Sequence, residues 1–378
     1  MNKRILTLVI SLVVLLSFAA CGTTAPPPPP VDTTPADTTP APTGPALVEA
    51  IEDPTRNIHF AVLFGVGGRG DNAFNDEVYE GVTMAVEMFG ATYNYAEPSD
   101  IGEFEIQLRA FAESGEYDVI IAVSNQMVDA LLMVAEDFPE QRFSMIDVAV
   151  YDVPNIWSLT ASHPEQHFLS GILAGLAVQD ERFPLVNPEN NILGFCVSVD
   201  TPVARAQASG FFAGARLVNP EVEILQNFIG GFNDPATAKE LATVMYERGA
   251  NIISTNSGQS ANGVFAAAVE QNRYVIGTAL AMVNADHSLS TSMKFVQQYI
   301  VVLIDALYHD RFEGGEVTVF GIADDVCGIS FHGVNTEIPQ DILDIIERAR
   351  LMVADGTFVL PTDFDQIDEW LENNSFDI

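Results

Sequence analysis

The chain has 378 residues, 48% of them hydrophobic, with 52 acidic residues against 16 basic ones and a formal net charge of −36. A field of that sign repels phosphate backbones, which excludes nucleic acid as a partner. The length exceeds one usual domain of ~100 to 200 residues, so two lobes with separate cores are expected.

The first residues read as an export signal. Lys3 and Arg4 precede an apolar run from Ile5 to Phe18, and Ala19 and Ala20 lead to Cys21. The run is shorter than the ~20 residues a bilayer-spanning helix needs, and its order of charge, apolar stretch and small residues is that of a cleaved signal over 1–20. Cys21 stands where a bacterial lipobox places its lipidated cysteine. Acyl chains there bury ~0.8 kcal/mol per methylene, so the expected location is the extracytoplasmic face of the cell membrane, held by lipid. Residues 21–54 continue with Pro26 to Pro30 unbroken and further Pro, Thr and Ala, a composition that builds no core and reads as an extended tether.

From residue 55 the pattern changes to alternating strands and helices. Ile58 to Phe64 is an apolar strand, Gly65 to Asp71 a glycine-rich loop, and Glu77 to Phe89 has helical spacing. Tyr117 to Val123, a loop at Ser124 to Gln126, a helix to Ala135 and the strand Phe143 to Ile146 follow. The same order then returns: strand Ile192 to Val199, loop Asp200 to Pro202, helix Ala204 to Leu217. Next come strand Asn251 to Ser254, loop Asn256 to Ser260, a helix to Val269 and strand Tyr274 to Gly277. This repeat predicts an α/β fold of two lobes, each a parallel sheet covered by helices. The expected division is 55–160 with 285–322 for the first lobe and 161–284 with 323–378 for the second. Ligands of open parallel sheets lie beyond the carboxyl ends of the strands, so function is expected in a cleft lined by the loops after the strands, including Asp147 to Tyr151 and Thr278 to Met282.

Several motifs are set aside on chemical grounds. Gly65, Gly67 and Gly70 spell G-x-G-x-x-G, but a dinucleotide site needs its last glycine to enter the helix directly. Here Asp71 to Asn75 intervene and put a carboxylate where the phosphate belongs. His163 and His167 have the spacing of a metal pair but lack a third ligand; with Ser162 and Pro164 they read as a helix start. Cys196 and Cys327 sit in apolar settings and read as buried free thiols, and the pair Asp324 and Asp325 as a solvated face. No cofactor, metal or catalytic constellation is assigned, which makes a binding protein, not an enzyme, the expected class.

The segment Gly70 to Asp76 carries donors, acceptors and an aromatic on a loop entering a helix. Phe74 is placed to stack on a flat ligand and Asn75 to donate and accept toward its edge. A structural alternative stands beside this: Asn75 or Asp76 caps the helix and Phe74 is core.

Across the domain the residues resemble the basic membrane protein family of bacterial lipoproteins, which includes purine-nucleoside-binding subunits of ABC importers. The resemblance is carried by Gly67-Gly68 with Asp71, Phe74, Asn75 and Gly81; by Tyr117 to Ile120; by Phe143 with Ile146-Asp147; and by Phe168 to Gly175. It continues through Gly210-Phe211, Ala213 to Ala215, Asn219-Pro220, Gly249-Ala250, Val275 to Gly277 and Lys294, one of three lysines in the chain. It implies a type I periplasmic-binding-protein fold, two lobes on a hinge, and an ABC permease and ATPase as partners. It implies that Phe74 stacks on a base, that Asn75 and Asp147 bond its edge, and that Lys294 reaches a sugar or a neighbouring carboxylate. With Asp71, Asn125, Gln126 and Gly258 these form the expected ligand-binding set. One departure stands out: the family's ribose-gripping aspartate after Val275-Ile276-Gly277 is replaced, the run continuing Thr278-Ala279. The expected function is capture of a nucleoside-like molecule for an importer. A ligand-sensing lipoprotein and an exported nucleoside hydrolase are the alternatives.

Overall fold

The inner strands of the first half are rich in apolar residues and buried along their length, as strands covered on both faces require, whereas its edge strand Thr92–Ala96 is more polar and partly exposed. In the computed structural model, which describes residues 47–51 and 56–376, these are β1 (His59–Leu63), β2 (Thr92–Ala96), β3 (Val119–Ala122), β4 (Phe143–Ile146) and β5 (Ile156–Ala161). The second half contributes β6 (Ile192–Val197), β7 (Glu223–Phe228), β8 (Ile252–Asn256), β9 (Tyr274–Gly277) and β10 (Ser288–Lys294); β11 (Val317–Phe320) and β12 (Cys327–Ser330) come last. Two six-stranded sheets result, in the orders β11-β5-β4-β3-β1-β2 and β12-β10-β9-β8-β6-β7. All pairings are parallel except β10 with β12. The α/β class read from the sequence is thus the observed one. The described residues lie in one compact unit, 40–378. The signal over 1–20, Cys21 and most of the tether lie outside the described residues.

Ten helices of the described residues cover the sheets. In the first half these are α1 (Phe74–Phe89), α2 (Phe104–Ser114) and α3 (Val128–Asp137); α4 (His163–Ala177), α5 (Pro202–Val218), α6 (Pro235–Glu247) and α7 (Ala261–Gln271) belong to the second. The chain continues with α8 (Gln297–Tyr308), α9 (Gln340–Ala354) and α10 (Ile367–Asn373). Local chemistry sets their ends. Pro202 opens α5, where a missing N–H costs nothing, and the Thr201 side chain accepts from Ala204 N. Gly90 closes α1 in the left-handed region at φ 65°.

Helices α4 and α5 lie unusually close. A Cβ at Gly171 would come within 2.2 Å of the Phe211 carbonyl oxygen, and one at Gly210 within 2.0 Å of that of Pro164. The small residues in these two helices therefore set a backbone-to-backbone seam, and any side chain there would force the helices apart.

Two sequence expectations need correction. Residues 285–294 were assigned to the first lobe, but β10 pairs with β9 in the second sheet; the crossing to the first half comes only at Phe295, after which α8 packs on α1. The strand escapes a hydropathy reading because Ser288, Ser290, Thr291 and Ser292 fill it, all of them buried. The tether, read to 54, is also shorter: Leu47, Val48 and Ile51 pack on the core, and Ile51 N donates to the Met88 carbonyl at 3.2 Å.

Three connections cross between the halves, and they are bonded to one another. Ser162 N donates to Phe320 O at 2.8 Å, Phe295 N to Val326 O at 2.9 Å, and Ile322 N to a Glu165 carboxylate oxygen at 2.6 Å.

Candidate functional site

The loops at the strand ends of both sheets enclose a cavity of about 140 Å³. Its first-half wall comes from the loops after β1, β3 and β4, and its second-half wall from those after β6, β7, β8 and β9 and the end of β10. All eight residues named from the sequence, Asp71, Phe74, Asn75, Asn125, Gln126, Asp147, Gly258 and Lys294, line this one cavity.

The loop after β1 is fixed by its own carboxylates. Asp71 is buried and accepts from Ala73 N (2.8 Å), Asp76 N (3.2 Å), and both Asn75 N and Asn75 Nδ2 (3.0 Å each). Burial raises its carboxyl above the usual range, against the lowering effect of these backbone donors. Asp76 accepts from Gly70 N (2.6 Å) and Asn72 N (2.8 Å). Asn75 Oδ1 in turn accepts from Gly65 N at 3.0 Å. The alternative in which Asn75 or Asp76 caps the helix is not what the bonds show: both accept from N–H groups of the loop, while Asp71 accepts from those at the start of α1, and Phe74 is half-buried and lines the cavity. Gly67 and Gly70, with φ of 108° and 89°, hold a backbone shape that residues with a side chain rarely adopt, and Gly67 lines the cavity.

On the outer side of that loop Arg69 is clamped to Glu97, with its Nε at 3.0 Å and its backbone N at 2.7 Å from the same oxygen, and lies 4.0 Å from the Tyr95 ring centroid. The loop after β3 begins with Ser124, whose hydroxyl accepts from Gln126 N at 3.2 Å; Asn125 is half-buried and Gln126 is exposed at the mouth.

The floor is an ion pair between the halves. Asp147 follows β4 with φ 73°, a left-handed conformation that aspartate tolerates better than most residues. Both its oxygens accept from Lys294 Nζ, at 2.7 and 2.6 Å, and Lys294 is 6% exposed. The ammonium also lies 5.2 Å from the Phe74 ring centroid, within cation–π range. Nearby on α4, burial holds His163 below its ordinary value, with Asp147 opposing and Lys294 assisting. Burial, then Lys294 and His163, push His167 down to about 3. Neither ring nitrogen of His167 has a partner among the described residues, and no cluster there could hold a metal.

Among the wall residues that sequence reasoning missed are Phe232, Gln166, Gln207 and Glu77. Phe232, in the loop after β7, contributes an aromatic from the second half and packs against Gly258, whose φ is 55°. Gln166 and Gln207 are buried and joined at 3.2 Å. Glu77 sits on α1 with its carboxyl pushed up to about 8, chiefly by burial. Phe232 could have been found from Gly230-Gly231 before it, which mark a loop at a strand's carboxyl end; Glu77 lies inside a helix, where composition gives no signal.

Residues 58–350 match the family model described as Bmp, ABC transporter substrate-binding protein PnrA-like. The ABC transporter nucleoside-binding protein BmpA of Lactococcus lactis is 21% identical over 80% of this chain and 88% of its own length. A protein of Pyrococcus horikoshii named as an uncharacterized lipoprotein is 29% identical over 60% of this chain and 56% of its own. A solute-binding protein of an ABC transporter system from Aeropyrum pernix K1 superposes with a TM-score of 0.74 at 24% identity, covering 84% of this chain and 98% of the other.

Proposed function

Because the chain belongs to this Bmp family of PnrA-like ABC transporter substrate-binding proteins, we propose that it captures a nucleoside-like small molecule in the cleft and delivers it to an ABC permease and ATPase. One observation carries the reading: Phe74 from the first half and Phe232 from the second bound a single cavity whose wall also offers amides, hydroxyls and the charged groups Asp71, Glu77, Asp147 and Lys294. Aromatic faces favour a flat ring by ~0.5 to 1.5 kcal/mol beyond burial, and amides such as Asn125 and Gln126 both donate and accept. The name of the Lactococcus relative agrees with this.

In this reading Phe74 and Phe232 clamp the ring, Asn125 and Gln126 bond it from the mouth, and the Asp147–Lys294 pair forms a polar floor. Gly258 lets the loop carrying it pass close, and Asp71 and Asn75 hold Phe74 in place. Where the family's ribose-binding aspartate is missing, Thr278 offers one hydroxyl beside Ala279, so the sugar is held less tightly than the base. Cys21 carries the lipid that keeps the protein at the membrane. Mass spectrometry of small molecules released from the purified protein, followed by calorimetry with a nucleoside panel, tests the proposal. Release of an unrelated solute with no nucleoside binding would refute it.

A further inference from the structure

Glu77 lies three residues after Phe74 on α1, so the two side chains share a helix face, and both line the cavity. Its carboxyl has no hydrogen-bond partner among the described residues. The other charged groups of the wall are engaged: Asp71 with its four donors, Asp147 with Lys294. The groups that face Glu77 are mostly acidic. Asp71 precedes it, Glu80 follows on the same helix, and Asp147 stands across the floor; Tyr299 on α8 is buried close by. Lys294 is the one cation among the cavity-lining residues, and Asp147 already holds it with both oxygens. His163, kept below its ordinary value, adds no positive charge at neutral pH.

We propose that Glu77 meets the ligand as a neutral carboxylic acid, its O–H donating to, and its carbonyl accepting from, the edge of the heterocycle held against Phe74. This rests on the nucleoside-like reading above. An ionised carboxylate only accepts, whereas the acid presents donor and acceptor side by side. That pair complements a ring nitrogen beside an amino group, or a ring N–H beside a carbonyl. Burial raises the Glu77 carboxyl to about 8, with the Lys294 charge opposing and Asp71, Glu80 and Asp147 adding to the rise, so the acid predominates at neutral pH. The site thereby selects uncharged ring edges that pair a donor with an acceptor, and discriminates against anions.

The test is calorimetry on the whole soluble protein and its E77Q variant, with adenosine and cytidine, whose bases do not titrate in the range used. Guanosine and inosine are added at the lower pH only. Wild-type affinity should hold from about pH 6.5 to about pH 8 and then fall about tenfold per pH unit. E77Q, whose amide keeps the donor and acceptor, should match wild type within about threefold at the lower pH and stay flat above it. A flat wild-type profile, an affinity that rises with pH, or a loss of about tenfold or more in E77Q at the lower pH would overturn the proposal. If no nucleoside binds either protein, the nucleoside reading fails instead. Carboxyl carbon NMR of the ligand-free protein then decides for Glu77: a glutamate signal titrating near pH 8 and missing from E77Q upholds the neutral acid, and its absence overturns it.

Discussion

The Asp147 carboxylate and the Lys294 ammonium meet at 2.6 to 2.7 Å, although Asp147 directly follows a strand of one sheet and Lys294 ends a strand of the other. A buried pair is a weak source of net stability, but removing one partner strands the other charge at a penalty of ~3 to 5 kcal/mol. Lys294→Met should therefore lower stability by about that amount, and adding Asp147→Asn should restore part of it. Urea denaturation of the two single variants and the double variant measures the effect; additive losses would show that the two residues do not act as a pair.

Phe74 and Phe232 are half-buried and border the cavity. Phe74→Ala and Phe232→Ala should each weaken nucleoside binding by ~0.5 to 1.5 kcal/mol or somewhat more, with smaller changes in folding. Calorimetry beside thermal melts separates the two effects.

Asn75→Ala behaves differently. It removes the acceptor for Gly65 N and a donor to the buried Asp71 carboxylate, so a loss of ~1 to 3 kcal/mol in stability is expected. Denaturation at saturating and at zero ligand should show the loss in both conditions.

Glu77 and His167 pull stability in opposite directions as pH changes. Glu77 has a folded-state value of about 8 against an ordinary 4.5, so the stability it lends is fully present below 4.5 and is lost as pH rises through 8. His167 has a folded-state value of about 3 against an ordinary 6.5, so its share is present above 6.5 and is lost as pH falls toward 3. Each slope is at most ~1.4 kcal/mol per pH unit. Melting curves across pH should show Glu77→Gln removing a decline that runs from about pH 4.5 to about 8, and His167→Leu removing a loss that runs from about pH 6.5 down to about 3.

Burial pushes Cys196 up to about 12 and Cys327 higher still. Native protein should leave both thiols unmodified by an aromatic disulfide reagent, and denaturant should expose both. Modification mapped by mass spectrometry checks this.

Strands β4 and β9 were legible to the residue because each is an apolar run closed by a turn residue. The cavity loops were legible because the repeat marks where strands end. β10 was not, since its hydroxyl side chains are buried only in the assembled fold, where Ser292 Oγ meets Ser170 Oγ at 2.8 Å and the Ser290 and Thr291 hydroxyls are enclosed without a partner among the described residues. Asp71 and Asn75 were placed at the cavity, but sequence could not say that they bond each other, because donor and acceptor inventories are silent on who meets whom. Glu77 was invisible for a related reason: its altered acidity comes chiefly from burial, opposed by Lys294 and aided by Asp71, Glu80 and Asp147, all brought around it by the fold.

The carboxylates of Asp71 and Asp76 bind the turn ahead of α1 from within. On the proposed binding role, Phe74 is therefore held in place before a solute arrives, and little freedom is left to surrender. Loosening that turn, for instance with Asp76→Ala, should slow capture and make association less favourable in entropy while the enthalpy of the final contacts stays nearly the same.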